Sequence, residues 1–140
     1  MKLTYAPIVC IACVLFSFSI GEAKETKNLS VSEEVEQIKN MAIAHVDPAT
    51  VPDGAYTGEF PFRQKYMYRV RVTVKSGRIE NIEVLENGTE NEYAQKGLGV
   101  IPRMLKEQSP EVDAVSGATV SSKALMKSVE RALKEARNPK

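Results

Sequence analysis

The chain has 140 residues and almost no net charge, because 19 Lys and Arg residues balance 18 Asp and Glu residues to give +1. Binding to a nucleic acid backbone requires a surplus of basic residues, so this balance argues against a nucleic acid partner. Cys10 and Cys13 both lie in an N-terminal apolar stretch, and the chain has a single histidine. We therefore expect no disulfide, no metal site and no thiol chemistry in the mature protein.

Residues 1–23 have the composition of a secretory signal peptide. Lys2 provides a basic start, an apolar run covers 3–20, and the small residues Gly21 and Ala23 precede a cleavage point after Ala23. The alternative is an uncleaved anchor, since the apolar run is about as long as a thin membrane requires. We predict an exported chain, periplasmic or extracytoplasmic, that is membrane-anchored if this segment is not cleaved.

Residues 24–52 are predicted to form a linker and a helix. Ser30 and Glu33 have the spacing of a capping box, and apolar residues follow at helical intervals. The predicted helix covers 32–44 and ends before two prolines, with His45 at its solvated C-terminal end. Two arrangements stay open: the helix packs on the domain that follows, or it acts as a stalk.

Residues 53–137 are predicted to form one domain that begins with a β-sheet, and 138–140 a short tail. Alternating apolar residues and a Ser-Gly turn predict an antiparallel hairpin, and the spacing in its second strand predicts a bulge or a change of face near Glu80 and Asn81. Gly58 indicates a point where a backbone or a ligand approaches closely. The three strands are predicted at 55–60, 66–75 and 78–85.

Two helices are predicted after the sheet, over 98–108 and 121–136. Ser121 or Ser122 is expected to cap the second helix, which buries an apolar stripe and turns Glu130 to solvent. The predicted fold class is α+β, a small twisted antiparallel sheet covered by helices, with an N-terminal helix after the signal peptide.

The segment 113–119, Asp-Ala-Val-Ser-Gly-Ala-Thr, lies immediately before the last predicted helix. Small residues let its backbone approach a ligand, and the unpaired N–H groups of a helix N-terminus attract phosphate. From these residues alone, an ordinary loop that caps a helix is the alternative to a phosphate-ligand loop. Lys123 is close enough in sequence to reach a phosphate at Thr119, or it lies on the solvated helix face.

The motif Asp-x-x-Ser-Gly-Ala-Thr resembles the acceptor motif of the FMN-binding domain family, which occurs in the flavin subunits of Rnf-type and sodium-pumping NADH:quinone oxidoreductases. Residues 53–58 resemble the opening strand of that family, 70–85 its central hairpin, and 121–124 the start of its last helix. The resemblance covers about 53–136.

This resemblance implies FMN bound covalently to Thr119 through a phosphoester, which a separate FAD-dependent flavin transferase makes. It places Ser116, Gly117, Ala118 and Asp113 with Thr119 in the cofactor site, and it assigns no catalytic residue. The implied function is an exported electron carrier that serves membrane or extracytoplasmic redox proteins, rather than a self-sufficient enzyme. The alternative is a non-redox domain of the same fold that binds another ligand or a partner without covalent flavin.

Overall fold

The computed structural model describes residues 30–88 and 91–138. The predicted signal peptide lies outside this part of the chain. Within it, no helix is both long enough and apolar enough to cross a membrane. The helices are α1 (Val31–Lys39), α2 (Glu92–Gly97), α3 (Val100–Glu107) and α4 (Thr119–Arg137), and the strands are β1 (Gly54–Phe62), β2 (Tyr66–Lys75) and β3 (Arg78–Asn87).

The three strands form one antiparallel sheet in the order β1-β2-β3, which confirms the α+β prediction. In the hairpin between β2 and β3, Thr73 pairs with Asn81 and Val74 pairs with Ile79. Glu80 is therefore the extra residue of a β-bulge, one of the two irregularities that the spacing of Ile79 and Ile82 predicted.

Helix α4 packs closely on one face of the sheet. That face carries the fully buried Val70, Val72 and Val74 of β2, and α4 contributes the buried stripe of apolar residues that the sequence predicts. A Cβ atom at Gly58 would lie 1.9 Å from the carbonyl oxygen of Ser128 on α4. Gly58 thus allows the backbones of β1 and α4 to lie close together. The sequence predicted a close approach at Gly58, and the structure shows that the approaching element is α4.

The N-terminal helix is shorter than predicted and packs on the domain rather than forming a stalk. Ser30 and Glu33 form the predicted capping box, but α1 ends at Lys39. The extended residues that follow bury Ile43 and Val46 in the core. A helix continued to residue 44 would lose this burial, and the apolar contacts favour the extended path.

Glu130 is buried, so the prediction that it faces solvent was wrong. Its side chain is only 1% exposed, because the extended segment after α1 crosses α4 at this point. One carboxylate oxygen accepts the Ala44 N–H at 3.0 Å, and the same group pairs with Lys127 at 2.9 Å and with Lys134. Burial raises the pKa of Glu130, but the hydrogen bonds from Lys134, Lys127 and Ala44 outweigh this effect and the pKa lies below its usual value.

His45 is exposed as predicted, but it lies in the extended segment and not at a helix end. Its Nδ1 atom is 2.9 Å from the hydroxyl of the buried Ser109. The helix predicted over 98–108 corresponds to α3, and α2 before it was not predicted from the sequence.

Candidate functional site

The segment 113–118 leads directly into α4, and Thr119 is the first residue of that helix. Ala118 occupies the N-cap position with φ −136° and ψ 39°, and in the described structure no side chain caps this end of α4. The first N–H groups of a helix point out of its N-terminus and carry the positive end of the helix dipole. Thr119 is half-buried. Its position at this helix N-terminus favours a negatively charged group.

The two serines predicted as alternative caps have a different role. Ser121 and Ser122 lie within the first turn of α4 and are both buried. The Ser122 hydroxyl accepts the Val115 N–H at 3.0 Å, and the Ser121 hydroxyl accepts a hydrogen bond from the Tyr68 hydroxyl at 3.2 Å. These bonds hold the loop and the start of α4 against the sheet, which is why neither serine caps the helix.

A tight turn at Ser116 and Gly117 presents Thr119. The Ala118 N–H donates to the Val115 carbonyl at 3.0 Å, and Gly117 has φ +78°, in the left-handed region that favours glycine. A Cβ atom at Gly117 would have no neighbour within 4 Å in the described structure. The backbone conformation of the turn, and not crowding, therefore favours a glycine here.

A cleft of about 500 Å³ lies beside Thr119. Sites for small molecules and cofactors typically have volumes of about 300–1,000 Å³, so this cleft is large enough for a small cofactor. Its walls include Val35 and Lys39 of α1, Phe62 and Arg63 at the end of β1, and Tyr93 of α2. Tyr93 is 59% exposed, so an aromatic ring stands at the mouth of the cleft.

Three of the five predicted cofactor residues line this cleft: Gly117, Ala118 and Thr119. Ser116 is exposed in the adjoining turn, and Asp113 faces a separate groove that Arg103 and Lys123 also line.

Lys123 donates to the Met41 carbonyl at 3.1 Å in that groove, so it neither lines the Thr119 cleft nor points freely to solvent. Arg103 donates to the backbone carbonyls of Asp113 and Ala114, at 2.9 and 3.3 Å. The guanidinium of Arg103 thus ties α3 to the start of the loop.

Residues 66–134 match the FMN-binding domain family. This part of the chain belongs to the FMN-binding domain family. The match covers β2, β3 and most of α4, including the whole loop that presents Thr119.

A protein of Treponema pallidum (strain Nichols), described as "Uncharacterized protein", is 34% identical to the chain over 89 residues. The alignment covers 63% of this chain and 24% of that protein, so the chain spans about a quarter of this relative's length.

The residues around the cleft of this FMN-binding domain fit an FMN molecule. The uncapped N-terminus of α4 suits the phosphate, and the exposed ring of Tyr93 offers aromatic surface to a flavin ring. Lys39 and Arg63 add positive charge. The described residues contain no group of three or more His, Cys, Asp or Glu side chains able to hold a metal ion.

Sequence reasoning did not place Lys39, Phe62, Arg63 and Tyr93 beside Thr119, although all four line the cleft. The spacing of Val35 and Lys39 places them on one face of α1, but only tertiary packing shows that this face meets the loop before α4. Arg63 lies in a turn with φ +53°, and no sequence pattern indicates that its side chain lines the cleft.

Proposed function

We propose that this FMN-binding domain carries FMN covalently on Thr119. In the reaction, the Thr119 hydroxyl oxygen bonds to the phosphorus of the FMN half of FAD, the pyrophosphate bond breaks, AMP leaves and the threonine proton is released. A separate FAD-dependent flavin transferase performs this step, so the domain needs no catalytic residue of its own. The observation that carries the proposal is the position of Thr119 at the uncapped start of α4, lining the cleft.

The loop supports an acceptor role, since the acceptor segment must reach the active site of another enzyme. Ser116 and Gly117 are exposed, and space surrounds Gly117. Asp113 is also exposed, and its side chain is available for recognition by the transferase. Ala118 is buried and fixes the start of α4.

With FMN in place, the protein is an electron carrier rather than a self-sufficient enzyme. FMN supplies chemistry of one or two electrons, and the protein binds, orients and tunes it. A phosphoester prevents loss of the cofactor by dilution outside the cytoplasm, in keeping with the signal peptide proposed for residues 1–23. The partners we propose are membrane or extracytoplasmic redox proteins.

The test is co-expression with a flavin transferase, followed by denaturing gel electrophoresis. The wild-type band is expected to keep flavin fluorescence after denaturation, and Thr119→Ala is expected to lose it while remaining folded. Thr57→Ala is the matched control, because Thr57 is an exposed threonine of β1 that lies outside the motif and does not line the cleft. This control should keep its flavin.

Two results would count against the proposal in different ways. Fluorescence retained by Thr119→Ala would place the bond on another residue. A colourless wild type, alongside a second acceptor protein that the same transferase does label, would favour the non-redox domain that binds another ligand or a partner.

A further inference from the structure

Helix α1 lies outside the matched region 66–134, yet it forms a wall of the cleft. Val35 packs against the hydrophobic core, and Lys39, one turn later, lines the cleft beside it. Lys39 also pairs with Glu36 at 3.1 Å, and 45% of its side chain is exposed. The lysine ammonium is thus hydrated and charged at the edge of the cleft.

Arg63 lies at the same edge and is held there by two contacts. Its backbone N–H donates to a carboxylate oxygen of Glu34 at 2.8 Å, which joins the turn after β1 to α1. Its guanidinium stands 5.1 Å from the centre of the Phe62 ring, a distance typical of a cation–π contact. Among the described residues that line the cleft, Lys39 and Arg63 are the charged ones, and both are positive.

We propose that Lys39 and Arg63 form a cationic edge of the flavin site and raise the reduction potential of the bound FMN. Reduction adds negative charge to a flavin, so positive charge nearby favours the reduced form. The inference rests on the proposed function only in that the attached FMN occupies this cleft. Because Lys39 belongs to α1, a helix outside the matched region contributes to the reduction potential of the flavin.

The experiment measures the midpoint potential of the flavinylated full-length protein by titration against redox dyes of known potential. Lys39→Gln and Arg63→Gln are each expected to lower the midpoint potential. At a fixed potential, the ratio of oxidised to reduced flavin should rise about tenfold, which is the effect of removing one unit charge near the ring in partly hydrated surroundings. A tenfold change corresponds to about 30 mV for a two-electron couple. Arg63→Lys keeps the charge and should keep the wild-type potential.

Lys106→Gln and Arg78→Gln are the matched controls. Each removes one positive charge from an exposed residue that does not line the cleft, so the potential should stay at the wild-type value. Raising the salt concentration should reduce the difference between wild type and Lys39→Gln, because salt screens exposed charges.

The outcomes separate this inference from the proposed function. A wild type without covalent flavin contradicts the function itself. A yellow wild type whose potential is unchanged in both glutamine variants, or changes equally in the controls, overturns the cationic edge alone. If Lys39→Gln fails to take up flavin while Lys106→Gln succeeds, Arg63→Gln decides the inference, and a wild-type potential in that variant overturns it.

Discussion

Gly117 and Gly58 are both favoured by the fold, for different physical reasons. Gly117 has φ +78° and open space where a side chain would be, so any cost of substitution comes from its backbone conformation. Gly58 has an ordinary strand conformation, but a Cβ atom there would collide with the backbone of α4, 1.9 Å from the Ser128 carbonyl oxygen. A change in either residue therefore reports on a different feature of the molecule.

We expect Gly117→Ala to lower the free energy of unfolding by about 1 kcal/mol, since a left-handed conformation costs an L-residue about 1–2 kcal/mol. Gly58→Ala should cost about 3 kcal/mol or more, because α4 must move away from the sheet. Urea denaturation of both variants measures the two values. Equal losses, or a greater loss for Gly117→Ala, would contradict the packing described for α4.

At the scale of elements, α4 connects the sheet, the N-terminal segment and the acceptor loop. Its buried carboxylate at Glu130 holds the extended segment after α1 through the Ala44 N–H, a contact between residues 86 positions apart. At its start, buried hydroxyls bind the loop and Tyr68. The position of α1 beside the cleft therefore depends on the same helix that presents Thr119.

Glu130→Gln should destabilise the protein at neutral pH by about 1–3 kcal/mol, the usual cost of breaking a buried charged hydrogen bond. Because the folded pKa of Glu130 is lowered, its contribution is complete above the unfolded pKa, near the ordinary value of 4.5, and is lost as the pH falls through the folded pKa. Thermal unfolding from pH 7 to pH 3 should show the gap between the two proteins closing in acid. A gap independent of pH would contradict an ionised Glu130 in the folded state.

Arg103 provides a test of the link between α3 and the acceptor loop. Arg103→Gln removes the guanidinium that donates to the Asp113 and Ala114 carbonyls. Because these contacts are exposed, stability should change by no more than about 1 kcal/mol, whereas the rate of flavin attachment should fall severalfold. A time course with purified transferase measures this rate, with Lys106→Gln as the control on the same helix. An unchanged rate would show that the loop holds its shape without Arg103.

Across the whole molecule, the sequence predicted those features that depend on local periodicity. Alternation in β2, the Ser-Gly turn and the bulge at Glu80 follow from residues close together in the chain, and each is present. The motif ending at Thr119 also marked the start of α4, with an error of two residues in the helix boundary. Local patterns were sufficient there because the sheet and the helix each bury one periodic face.

The remaining features depend on contacts between distant parts of the chain. The burial of Glu130 requires the segment after α1 to cross α4, and the roles of Ser121 and Ser122 require the sheet and the loop to meet them. Lys39 and Arg63 reach the cleft for the same reason. Helical periodicity places a side chain on a face of its helix, but it does not specify what packs against that face.

The measurement that tests the central claim most directly is mass spectrometry of the protein co-expressed with flavin transferase, first intact and then after proteolysis. The account predicts a mass increase of one FMN less one water, with fragmentation placing it on Thr119 in the peptide that contains 113–119. Unmodified protein in the presence of a transferase that labels another acceptor, or FMN on Ser116, Ser121 or Ser122, would contradict the account.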